Sequence, residues 1–359
     1  MSLRDELVQL TKELVAIPSV SDDAVQRRVV IDFIAAYCQR LPGVHIERYE
    51  SRGFPMLVAA FDTERAKDLI LNAHVDVVPA RPEQWQAVER DGRLYGRGTQ
   101  DMKAASAAML VLLKALAEAG KQPNVSWQFV TDEEIGGDDG TGYLLRQGYT
   151  GQLFVAGEPT DLHIVNRAKG ILWVTVTMNG IPAHGSRPWD GDNPIIPLAT
   201  GLRKLLERYP IPAEPVWRTT VTPAAIHGGD AQNRVPVDCL LKLDIRRVPD
   251  EEQGAIMYFV EQCFPGATVQ TPHDGSCLNT DSSAPALQRL VSSISAEMGQ
   301  PARFRDEHFG SDARYYSQAG TAAVCFGPRG AGLHSHEEWV EIESILTFYH
   351  VLERLVTGS

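Results

Sequence analysis

Apolar runs that stop abruptly at acids or histidines set the rhythm of this chain. Residues 69–73 (LILNA) are apolar without strict alternation, the pattern of a strand buried on both faces, and they lead directly to His74 and Asp76. Residues 125–131 (VSWQFVT) repeat the design and end in Asp132, Glu133, Glu134 and a glycine pair. Residues 153–156 (LFVA) lead to Glu158, and residues 324–326 (VCF) lead to a glycine-containing loop with His334 and His336. Between the first two runs, residues 103–120 combine Ala, Leu and Lys with helical apolar spacing, which predicts a helix. The preceding stretch 96–101 (GRGTQD) is loosened by glycine and ends in Asp101. Strands alternating with helices predict an α/β fold with a mixed, mostly parallel sheet flanked by helices. In such sheets, ligand crevices form beyond the carboxyl ends of the strands, where these donors fall.

The pattern changes near residues 169–170. A strand at 171–178, a Gly/Pro-rich loop with His184, a helix at 194–208, strands at 219–226 and 237–246, and a helix at 250–263 follow in turn. That β-α-β-β-α-β order predicts an inserted α+β, ferredoxin-like two-layer domain. A helix at 284–298 returns the chain to the first domain. The predicted division is therefore 1–169 with 280–359 for a discontinuous catalytic domain, and 170–279 for the insert. A length of 359 residues, more than one core usually holds, agrees with two domains.

Lys and Arg number 34 against 46 Asp and Glu, a net charge of −12 with no basic stripe, which argues against nucleic acid or an anionic membrane as partner. Five cysteines are scattered without C-x-x-C spacing, so neither a disulfide framework nor a thiolate zinc site is expected, and the compartment reads as reducing. Residues 1–7 lack the layout of a secretion signal and begin an amphipathic helix, and no apolar run approaches a membrane span. A cytoplasmic location is the expectation.

The donors carry the chemistry. Asp76 points the same way as His74 along an extended strand and could accept the second imidazole N–H, leaving the other nitrogen for a cation. The same pair alone could be a core histidine beside a helix-start acid, and Asp101 alone could be an ordinary helix-start carboxylate. Asp132, Glu133 and Glu134 repel one another unless a cation neutralises them, one stays protonated, or the turn is solvated. Residues 310–312 (GSD) lack the G-x-S-x-G spacing of a serine hydrolase elbow.

Taken together and in order, these motifs strongly resemble the co-catalytic zinc aminoacylase and exopeptidase family that includes acetylornithine deacetylase, succinyl-diaminopimelate desuccinylase and glutamate carboxypeptidase. The resemblance implies two divalent metal ions, with His74 and Glu158 on one, Glu134 and His334 on the other, and Asp101 bridging. It implies Glu133 as general base, with Asp76 supporting His74. The choice of His334 follows the family's ligand histidine four residues before the Glu of a Glu-aromatic-Val motif, here Glu338, Trp339 and Val340; His336 is the rival donor, and Trp339 replaces the more usual tyrosine. His184 resembles the histidine that one subunit lends to its partner's site to stabilise the oxyanion, which implies a homodimer. By composition alone, His184 reads as a solvated loop residue.

Asn233 falls in a matching segment, and Arg246 resembles a clamp for a substrate carboxylate, with Arg247 as its alternative. Residues 309–314 (FGSDAR) depart from the glycine pair and threonine common in relatives, and Gly310 and Ser311 there are expected to line the substrate pocket. His, Asp and Glu donors without cysteine suit Zn, with Co or Mn as substitutes. The implied reaction is hydrolysis of an N-acyl amino acid by hydroxide held between cations about 3.5–4 Å apart. A carboxypeptidase or dipeptidase acting on short peptides is the alternative within the class. A non-catalytic binding protein on the same scaffold is the remote one, since every named donor is present.

Overall fold

The computed structural model describes residues 1–358. They fold into two compact units: residues 1–167, 278–305 and 311–358, and residues 168–277 with 306–310. Residues 306–310, assigned with the first domain from sequence, thus pack with the second; strand Phe304–Glu307 crosses the division, and nothing in its apolar pattern signals this.

In the first unit, a mixed sheet runs in the order His45–Ser51, Phe54–Ala60, Val125–Val130, Ala66–His74, Thr150–Ala156, Ala322–Cys325, Ile164–Ala168 and Leu278–Asn279. Its central strands are parallel, with His74 opposite Val130, Asn72 opposite Ala156, and Cys325 opposite Ala156. Their carboxyl ends are therefore level, and the residues that follow each strand converge. Burial explains the unbroken apolar runs: all of Val125–Val130 is buried, and Ala66–His74 is buried from Leu69 onward. Antiparallel strands close the edge at His45–Ser51 and Phe54–Ala60.

Helix Ala104–Glu118 is buried on nearly every side, packed by helices Leu3–Val15 and Ile342–Thr357. Its alanines allow that crowding, and so does Gly157, where a Cβ would lie 2.6 Å from the Met102 methyl and 2.9 Å from the Ala105 Cβ. Helix Pro285–Met298 packs in turn on Ile342–Thr357.

The second unit is a four-stranded antiparallel sheet in the order Thr220–Gly228, Asp238–Arg247, Gly170–Asn179 and Thr268–Gly275. Strand Gly170–Asn179 alternates buried and more exposed positions, and its buried Leu172, Val174 and Val176 meet Leu198 and Leu205 of helix Ile195–Arg208 and Ile256 and Val260 of helix Gln253–Cys263. Two helices on one face of such a sheet make a two-layer, ferredoxin-like unit. None of the five cysteines is in a disulfide, and among the described residues no helix is long and apolar enough to cross a membrane.

Candidate metal centre

Strand Ala66–His74 delivers His74, 1% exposed, to the level end of the parallel strands. Its Nε2 lies 2.9 Å from Asp101 Oδ1 and 3.9 Å from Glu158 Oε2. The other Asp101 oxygen, Oδ2, lies 3.3 Å from His334 Nε2, which is also 3.3 Å from Glu134 Oε2. One carboxylate thus faces two imidazoles, one with each oxygen. At Asp101 the chain departs from helical dihedrals (φ −121°, ψ 93°) just before helix Ala104–Glu118, and a cis peptide joins Asp101 to Met102. His334 takes a left-handed conformation, φ 59°, in the loop after strand Gly330–Ala331.

Glu133 and Glu134 share a single helical turn, Glu133–Ile135, that begins three residues after the end of strand Val125–Val130. Adjacent side chains on a turn diverge, and here they join different groups. Ligand atoms of His74, Asp101 and Glu134 lie within 4.8 Å of one another, as do those of His74, Glu133 and Glu158. Neither His334 nor His336 is in these two groups among the described residues; His334 meets Asp101 and Glu134 through the contacts above, whereas His336 Nδ1 lies 3.3 Å from Gln84 Oε1.

Asp76 lies beside His74 as the sequence reading expects, and it has further partners. His74 Nδ1 is 3.0 Å from the Asp76 main-chain carbonyl and 3.5 Å from its carboxylate. The carboxylate also accepts the N–H of Glu133 at 3.3 Å, the N–H of Glu134 at 3.2 Å and the Ser21 hydroxyl at 2.8 Å. It therefore orients the turn that carries both glutamates. Ser21, fifty-five residues upstream of Asp76, belongs to no recognisable motif, and only its location in space reveals it.

The electrostatics suit a cation. Burial first, then repulsion from Glu158, raises Glu133 well above the usual carboxylate range. Burial likewise raises Glu134, and it pushes Glu158 up to about 8 against the opposing pull of His74. Hydrogen bonds to Asp101 and then Glu134 lift the half-exposed His334 to about 10. Asp101 is held below its ordinary range by His334 and His74 in spite of burial. Burial raises the acids first and their mutual repulsion adds to it, while the same negative charge raises the imidazole; divalent cations on oxygen and nitrogen donors would neutralise that charge. The residues present therefore fit a metal centre.

The remaining candidates have other partners. Ser311 is in the first unit, buried, with its hydroxyl 3.1 Å from Cys325 Sγ. His184, Asn233, Arg246 and Gly310 belong to the second unit. There the His184 and Asn233 segments run side by side: Gly185 N–H donates to Asn233 O at 2.6 Å, and exposed His184 pairs with the Ser186 hydroxyl at 2.8 Å. Arg246 is engaged by Asp244 at 2.8 and 3.2 Å.

Acids and imidazoles gathered at the carboxyl end of a parallel α/β sheet define a metallohydrolase class of site. The model for peptidase family M20/M25/M40 matches residues 70–358, and the chain belongs to that family. It is 28% identical to a succinyl-diaminopimelate desuccinylase of Herminiimonas arsenicoxydans over 97% of this chain and 98% of that protein. It is 29% identical to the Cupriavidus taiwanensis enzyme of the same name over 81% and 82%. In fold it matches the aminopeptidase PepT of Bacillus cereus, with a TM-score of 0.81, 18% identity and 98% of both chains covered.

Proposed function

We propose that this protein is a metal-dependent amidohydrolase that releases the acyl group from an N-acyl amino acid. The observation that carries the reading is Asp101, whose two oxygens face His74 at 2.9 Å and His334 at 3.3 Å, an arrangement suited to holding two cations at once. The desuccinylase relatives support the N-acyl substrate class. In this reading His74, Glu158 and Asp101 hold one ion, and Glu134, His334 and Asp101 hold the other. Zn is the metal that these donors suit, with Co or Mn as substitutes. Bound there, such ions supply Lewis acidity and lower the pKa of a ligated water.

The protein's own groups do the rest. Glu133 accepts the proton of the attacking water and returns it to the departing amine nitrogen. Asp76, through the Glu133 and Glu134 N–H groups, keeps the turn in place for both tasks. His184 donates a hydrogen bond to the oxyanion, lent by a partner subunit in a homodimer. Arg246 binds the substrate carboxylate after exchanging Asp244 for it, and Asn233, Gly310 and Ser311 contact substrate.

The test is Glu133→Gln on a panel of acetylated, succinylated and dipeptide substrates. The variant should bind wild-type amounts of metal and lose turnover by at least 100-fold, within the range of general acid–base catalysis. Chelation should silence the wild-type protein and zinc should restore it. Near-normal turnover in Glu133→Gln refutes the base, a preference for dipeptides moves the assignment to an exopeptidase, and an active monomer in sedimentation excludes the lent histidine.

A further inference from the structure

The loops that bear Asp101 and His334 are far apart in sequence yet tied together by one buried ion pair. Glu338, four residues after His334, is 1% exposed, and Arg97, four residues before Asp101, is 3% exposed. One Glu338 oxygen accepts the N–H groups of Gln100 at 3.0 Å and Asp101 at 3.3 Å, and the other accepts from the Arg97 guanidinium. A second Arg97 nitrogen donates at 3.1 Å to the carbonyl of Ser335, the residue next to His334, and the Gln84 amide donates to the same carbonyl at 3.0 Å. Main-chain bonds extend the connection: Gly96 N–H donates to Glu338 O at 3.1 Å, and Trp339 pairs with Tyr95.

A fully desolvated ion pair is a poor source of net stability compared with apolar packing. Here its oxygens and nitrogens are spent on main-chain groups at two places: the peptide where Asp101 leaves helical geometry, and the carbonyl beside a histidine held at φ 59°. Neither loop is regular, so neither has a helix or strand ladder to hold it at these points. The pair adds a side-chain constraint between the two loops beyond the Gly96–Glu338 main-chain bond and the Tyr95–Trp339 pairing at their edges.

We propose that Arg97 and Glu338 are positioning residues that set the placement of Asp101 relative to His334, and so the geometry of the metal position formed by Asp101, Glu134 and His334. This rests on the two-metal reading above. Partners that orient metal ligands are worth roughly 10–100-fold in metal affinity. The effect should fall mainly on that position, which takes both Asp101 and His334 from the tied loops; the other position shares only Asp101, since His74 and Glu158 are carried by other strands.

The experiment is titration of the metal-free full chain with Co²⁺, followed by calorimetry and by the visible absorption of the bound ion. Wild type should take up two equivalents. Glu338→Gln should bind one equivalent 10–100-fold more weakly and the other, which shares only Asp101, with a clearly smaller loss, and the larger spectral change should belong to the more weakened ion. Arg97→Lys, which keeps the charge but loses the fork, should do the same more mildly and serves if Glu338→Gln does not fold. In a His334→Ala background, Glu338→Gln should add little, since its target position is already lost. Two equivalents bound as in wild type by both variants, or equal weakening of both ions, overturns the positioning role and leaves the two-metal reading standing. A wild-type protein that binds no Co²⁺ overturns that reading itself.

Discussion

Replacing Asp76 by Asn probes the turn that carries both glutamates while leaving every proposed metal ligand in place. The carboxylate is 0% exposed, lies 3.5 Å from His74 Nδ1 and accepts from three donors, the N–H groups of Glu133 and Glu134 and the Ser21 hydroxyl. An amide has one acceptor oxygen. Set toward Glu134 and Ser21, it leaves its NH₂ facing the Glu133 N–H, so a buried donor goes unpaired at a cost of about 1–3 kcal/mol. The two surviving bonds drop from charge-assisted to neutral, losing about 0.5–2 kcal/mol each. The sum is about 2–7 kcal/mol, borne partly as stability and partly as displacement of the turn. Metal affinity or kcat should fall roughly 10–100-fold, the range for partners of metal ligands. Paired measurements of kcat, KM and bound metal by elemental analysis, with a melting curve of the metal-free protein, read each share. If Asp76→Asn keeps kcat and metal content within about twofold of wild type and melts at the same temperature, the role assigned to this carboxylate is wrong.

Three further outcomes follow from the same geometry. His334→Ala should lower metal content while His336→Ala should not, because His334 lies 3.3 Å from both Asp101 and Glu134 and His336 contacts Gln84; the reverse pattern under elemental analysis would exchange their roles. Lys103 is fully buried with its ammonium on the Leu14 and Ile17 carbonyls, and burial lowers it to about 7. The unfolded chain then binds more protons than the folded one from about pH 7 up to its ordinary 10.5, so the penalty is full below that window and relieved as pH rises through it. Denaturant titrations of the metal-free protein should show wild type gaining stability relative to Lys103→Met across that range, and parallel curves would refute it. Gly137→Ala should cost about 2–5 kcal/mol in the same assay, since φ is +68° and its Cβ would lie 1.8 Å from an oxygen of buried Asp312; an unchanged midpoint would mean that the loop yields freely.

Local pattern alone determined much of this protein. Runs such as LILNA and VSWQFV are apolar because both faces of a central parallel strand are covered, and that burial also places His74 and the acidic triplet at strand ends. Alternation along Gly170–Asn179 and the helical spacing of Ile195–Arg208 announced the two-layer unit for the same reason. The family motifs, carried in order, pointed to the donors that meet around Asp101. Tertiary structure alone decided the rest. It gave the Asp76 carboxylate, beside His74, two N–H groups and Ser21 as further partners, put residues 306–310 with the second unit, and joined Arg97 to Glu338 across more than two hundred residues. Periodicity reports which face of an element is buried. It does not report which buried polar group will satisfy another, because that choice is made only when distant loops share one low-dielectric space.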